Sequence, residues 1–141
     1  MENPLTPETL RRLSLAAREA ASFAYCPYSS FPVGAAVLTS TGEIFPGCNI
    51  ENASFGLTLC AERTALFRAI SSGHRSILAL AIYTPTPAPI TPCGACRQVL
   101  NEFAPNLFII SLCDTPEILQ TTLPILLPQA FGPISLSPIA S

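Results

Sequence analysis

Lysine and tryptophan are missing from this 141-residue chain, and histidine and methionine occur once each. All seven basic residues are arginines, set against nine acids for a net charge of −2. The arginines are scattered, and no stretch joins dense positive charge to aromatics. A surface of that kind does not neutralise a run of phosphates, so a polynucleotide is not the expected partner. Every apolar run falls well short of the ~20 residues that span a bilayer. The opening Met1-Glu2-Asn3-Pro4 has neither the basic start nor the apolar run of a secretory leader. The expectation is a soluble, cytoplasmic protein, without membrane or nucleic-acid partners, acting on a small neutral molecule.

What is there is a large apolar share, 49% of residues, enough for one compact domain over residues 1–141. Thr6-Pro7-Glu8 reads as a helix start: a capping hydroxyl, a proline suited to the first turn, and an acid at the positive end. Leu10, Leu13, Ala17, Ala20, Ala21 and Ala24 then recur at helical spacing, and this helix is expected to end before Pro27. Ala35 to Leu38 and Ile44 to Cys48 read as a hairpin about Thr41-Gly42. Helices are expected over Cys60 to Ser72 and Cys93 to Phe103. Buried strands are expected over Ile77 to Tyr83 and Leu107 to Cys113. Glu117 to Thr122 reads as an edge strand and Pro124 to Leu127 as a short last helix. Helices interleaved with apolar strands imply an α/β three-layer sandwich, a mixed five-stranded sheet with helices on both faces.

Six cysteines in an intracellular chain point to metal ligands or buried thiols rather than disulfides. Three of them stand in Cys60-Ala61-Glu62-Arg63 and Pro92-Cys93-Gly94-Ala95-Cys96. Cys93 and Cys96 share one helix face, and Cys60 approaches from the start of another helix. A structural zinc is closed by four protein ligands, whereas a catalytic one has three and keeps a position for water. Partial positive charge at each helix start offsets part of the negative charge of three thiolates. Arg63, in a first turn where a cation is otherwise unfavourable, is expected to lie against the sulfurs and draw off more. Glu62 is then the proton carrier beside the open position. That combination is the chemistry of zinc deaminases, in which water replaces the amine on a ring carbon and a non-ligand glutamate shuttles protons.

At this point the chain resembles the small cytidine deaminases whose zinc ligands are all cysteines. The likeness runs through Tyr25-Cys26-Pro27-Tyr28-Ser29, Phe31-Pro32-Val33-Gly34-Ala35-Ala36 and Gly47-Cys48-Asn49-Ile50-Glu51-Asn52-Ala53-Ser54. It continues through Cys60-Ala61-Glu62-Arg63-Thr64, Pro92-Cys93-Gly94-Ala95-Cys96-Arg97-Gln98 and Ala130-Phe131-Gly132-Pro133. The resemblance implies that Asn49 and Glu51 bind the sugar, and their separation by one residue at a strand end lets both face one side. It also implies that Phe31 stacks on the base and that backbone groups of Ala61 and the Ala53 region read the pyrimidine edge. Phe131 is implied to reach into a neighbour's site, hence a homotetramer with shared active sites. The activity implied is zinc-dependent deamination of cytidine and deoxycytidine in pyrimidine salvage. Phe55 departs from the pattern, standing where the family usually has tyrosine. So does the apolar tail from Ile134 to Ser141.

Two other readings stand beside this one. A deaminase of another aminated pyrimidine would share the zinc site without needing the Asn49 and Glu51 pair. A non-catalytic zinc domain would need a fourth ligand, for which Cys48, Cys113 or His74 are candidates.

Overall fold

The computed structural model describes residues 3–136, so residues 137–141 of the apolar tail lie outside the described part. Helix α1 spans Pro7–Ala21, and its N-cap is Thr6, whose hydroxyl accepts a hydrogen bond from the Thr9 N–H at 3.2 Å. It ends earlier than its apolar spacing suggests. Beyond Ala21 the chain passes through a turn, and Tyr25 donates to the Asn49 carbonyl, which pulls this segment into a bridge with Ile50. A tertiary hydrogen bond thus overrides the helical pattern at Ala24.

Strands β1 (Gly34–Thr39) and β2 (Ile44–Cys48) form the expected hairpin. A single 3-10 turn at Phe55–Leu57 precedes helix α2 (Ala61–Ser71). Strand β3 (Ile77–Tyr83), helix α3 (Gly94–Phe103), strand β4 (Phe108–Leu112), strand β5 (Ile118–Thr122) and helix α4 (Leu123–Leu126) follow. A second 3-10 turn occupies Pro133–Leu136. Neither 3-10 turn was expected from the sequence.

The five strands lie in the order β2-β1-β3-β4-β5. Only β3 and β4 run parallel, joined by the α3 crossover; the other pairs are antiparallel. Strand periodicity divides the core in two. Val37, Leu80, Ile82 and Ile109 pack with α2 and α3 on one face. Leu38, Ala79, Ala81, Phe108 and Ile110 pack with Leu13 and Ala17 of α1 on the other. The expected three-layer mixed sandwich is therefore the architecture observed. Pro46 sits in β2, at the sheet edge, where a missing N–H costs no ladder bond.

Two glycines let the layers close up. A Cβ on Gly34 would lie 1.9 Å from the Ala17 carbonyl oxygen of α1. One on Gly47 would lie 2.4 Å from the Ala65 nitrogen of α2. The hairpin is thus gripped by a helix on each side, which fixes the start of α2 relative to the sheet.

Candidate metal centre and active site

Cys60 and Cys93 are the N-caps of α2 and α3, with extended backbones at φ −70°, ψ 152° and φ −65°, ψ 168°. Their carbonyls accept the first helical hydrogen bonds, from Thr64 and Arg97. Neither sulfur caps its own helix, so both are free to meet across the gap between the helix starts. Cys96, fully buried in the first turn of α3, completes the group. The three sulfurs lie within 4.8 Å of one another, and those of Cys60 and Cys93 are 3.9 Å apart. Tetrahedral zinc with Zn–S bonds of 2.3 Å requires sulfurs about 3.8 Å apart. No other His, Cys, Asp or Glu among the described residues joins the group.

The electrostatics also fit a cation. A hydrogen bond from the Cys96 thiol, with help from the Arg63 guanidinium, brings the Cys60 thiol down to about 5. The same hydrogen bond, with burial, pushes Cys96 up. Without a cation the Cys60 thiolate is thus steadied by the Cys96 thiol that donates to it. A divalent ion displaces the remaining thiol protons and lets every sulfur ionise. Arg63 Nη2 lies 3.2 Å from the Cys60 sulfur, the contact expected from its place in the sequence.

Glu62 is the second residue of α2 and is only 5% exposed. Burial raises its carboxyl to about 7, against the pull of its own backbone N–H. A carboxyl balanced between its two protonation states at neutral pH both takes and gives protons readily.

A cavity of about 440 Å³ opens over this centre. Its wall brings together Phe31, Asn49, Glu51, Cys60, Ala61, Glu62 and Cys93 from the predicted set. Ser29, Thr58, Ile90 and Thr91 also line it, and no sequence signal singled them out. The Asn49 side chain accepts from the Val33 N–H at 2.9 Å and donates to the Phe31 carbonyl at 2.8 Å. It thereby anchors the segment carrying Phe31, with one N–H and one lone pair left over. Glu51 accepts from the N–H groups of Tyr28 and Ser29 at 2.9 and 3.1 Å. The Ser29 side chain and these two amides hold its carboxyl below the usual range. Ala53 and Phe131 are not in this wall. Ala53 is exposed, and Phe131 is 58% exposed with its carbonyl bound by Gln98 and Asn101. Phe55 is exposed and sets its ring edge-on to Tyr28, centroids 5.6 Å apart.

The alternative fourth ligands are engaged elsewhere. His74 lies 3.2 Å from the Glu43 carboxylate. Cys113 is buried beside the Thr115 hydroxyl and the Glu117 carbonyl. Cys48 faces a separate cleft with Phe23 and Arg68, and burial pushes its thiol up, away from the thiolate a ligand needs.

Three sulfurs about one point, with a buried carboxyl alongside, are the equipment of a hydrolytic deaminase, and an enzyme of that class is what this chain is. Residues 7–112 match the family described as cytidine and deoxycytidylate deaminase zinc-binding region. The cytidine deaminase of Sporosarcina psychrophila is 47% identical over 129 residues, 91% of this chain and 95% of its own. A crystal structure of cytidine deaminase from Burkholderia pseudomallei superposes with a TM-score of 0.84 at 46% identity, covering 90% of this chain and all of that one. That of Mycobacterium tuberculosis gives 0.76 at 44% identity, covering 87% of this chain and 97% of that one. The chain belongs to the cytidine deaminase family.

Proposed function

We propose that this protein hydrolyses cytidine and deoxycytidine to uridine and deoxyuridine with release of ammonia, in cytoplasmic pyrimidine salvage. The observation that carries the reading is that Glu62, Cys60, Cys93, Asn49 and Glu51 all line one cavity of nucleoside size, with Cys96 buried behind it. Cys60, Cys93 and Cys96 would hold Zn²⁺. Bound there, zinc supplies a Lewis acid that makes water nucleophilic at neutral pH.

The chain's own groups do the rest. A Glu62 carboxylate oxygen takes the proton of the attacking water and passes it to the ring nitrogen. The carboxylate so restored takes the second proton from the hydroxyl now on the ring carbon and gives it to the amine, so the carbonyl forms as the C–N bond breaks and ammonia leaves. Burial supports this, because a group near 7 serves in both directions. Ala61 opens α2, and the first N–H groups of a helix have no partner within it. Its backbone, with that of the Ala53 region, reads the pyrimidine edge. Phe31 covers the ring. Asn49 and Glu51 take the sugar hydroxyls, and the ionised Glu51 repels a nucleotide's phosphate. Arg63 withdraws charge from Cys60.

Phe131 lies outside the wall of its own cavity, so its role requires a second copy. We accordingly assign a homotetramer of single-domain subunits with shared sites. Exposed Phe23, Phe55, Leu57 and Phe131 support it as apolar surface to be covered. No helix among the described residues is long and apolar enough to cross a membrane.

Absorbance loss on adding cytidine to purified protein, with and without a chelator, tests the activity. Turnover of cytosine or cytidine monophosphate in preference to cytidine would overturn the substrate assignment. Size-exclusion chromatography with light scattering tests the tetramer.

A further inference from the structure

Arg97 stands in the first turn of α3, directly after the buried Cys96, where the positive helix end disfavours a cation. No carboxylate lies within ion-pair distance of it among the described residues. Its guanidinium instead donates to three neutral oxygens. Nε bonds the Pro92 carbonyl at 2.7 Å, Nη2 the Thr91 hydroxyl at 3.0 Å, and Nη1 the Leu126 carbonyl at 2.8 Å. What these partners need is the planar fork rather than the charge.

The partners have a common logic. Thr91 and Pro92 lead into Cys93, and Pro92 has no N–H with which to tie itself down. Leu126 belongs to α4, which is itself a fixed post: Leu123 is buried and its N–H bonds the Leu107 carbonyl at 2.9 Å. The far end of the same loop is pinned at Pro87, whose carbonyl accepts from the Thr115 hydroxyl at 3.0 Å. Ile90 and Thr91, both in the cavity wall, hang between these two pins.

We infer that Arg97 is a positioning residue for substrate: its guanidinium clamps the Thr91–Pro92 approach to Cys93 against α4 and so sets the cavity wall at Ile90 and Thr91. The inference rests on the deaminase reading and assigns one side of its cavity to an arginine that touches neither metal nor nucleoside.

The test measures cytidine KM, uridine Kd by titration calorimetry, zinc per chain and melting temperature for Arg97→Lys, Thr91→Val and the double variant. Lysine keeps the charge but cannot fork. Loss of charge-assisted hydrogen bonds predicts that Arg97→Lys raises KM and uridine Kd about tenfold, with zinc still stoichiometric. Thr91→Val gives a smaller rise, and the double variant is no worse than Arg97→Lys. Wild-type uridine affinity in Arg97→Lys, or a drop in melting temperature alone, overturns the inference, as do independent, multiplying effects. If Arg97→Lys does not fold, unchanged uridine affinity in Thr91→Val overturns it. Wild-type protein that neither turns over cytidine nor binds uridine overturns the deaminase reading instead.

Discussion

Arg63 aims Nη2 at the sulfur of Cys60 from three residues further along the same helix start, while its Nε is buried with no hydrogen-bond partner among the described residues. The guanidinium is held by sulfur and by little else. Arg63→Gln keeps the bulk and loses the charge. Groups that bond to metal ligands commonly govern 10–100-fold in activity or metal affinity. The expected result is a kcat lowered by about tenfold or more, with zinc content measured alongside. Full turnover in this variant would show that the contact is incidental.

Glu62→Gln removes the proton carrier without changing shape. General acid–base groups contribute ~10²–10⁴ in rate, and a loss in that range is expected with metal retained. Elemental analysis and a steady-state assay on the same preparation decide it.

Chelation should stop turnover, and added zinc should restore it. Because an ion held by these three sulfurs would tie α2 to α3, the metal-free protein should also melt at lower temperature. Differential scanning calorimetry before and after chelation reads this directly. Equal melting temperatures would argue that the sulfurs hold nothing.

Glu51 is held below the ordinary carboxylate range by Ser29 and two amides. A depressed value means the interaction is present above the unfolded pKa and lost only as pH falls through the lower, folded one. A carboxyl-carbon NMR titration should therefore place its midpoint below ~4.3, the free value. Ser29→Ala should move that midpoint upward. An unmoved midpoint would mean that Ser29 does not restrain it.

Gly47→Ala forces a methyl group to within 2.4 Å of the α2 backbone. Overpacking of this kind costs roughly 1–3 kcal/mol, and a lower urea midpoint, with the unfolding free energy reduced by that amount, is expected. The same change displaces the start of α2, so cytidine turnover should fall with it.

Local chemistry was the part of this molecule that its sequence made readable. Thr6-Pro7-Glu8 marked the start of α1, the apolar run from Ile77 marked the sheet centre, and cysteine spacing marked the metal group. Cys60 and Cys93 read as the first residues of their helices and are the N-caps, one position earlier. Strand order and the parallel pairing of β3 with β4 were not legible, because they join residues far apart in the chain. Nor was the engagement of Asn49 with Phe31 and Val33, or of Arg97 with Leu126. In each case the partner is chosen by packing, and no spacing rule points to it. Thr91 and Ile90 reach the cavity for the same reason.

The sulfurs come from two helix starts separated by a whole strand, β3, and its loops. During synthesis the earlier helix is released well before the later one, so a lone Cys60 has no companions with which to grip an ion. A three-sulfur grip on zinc would therefore require both helix starts to stand side by side. On that reading, loading would follow the meeting of α2 and α3 and report that it has taken place.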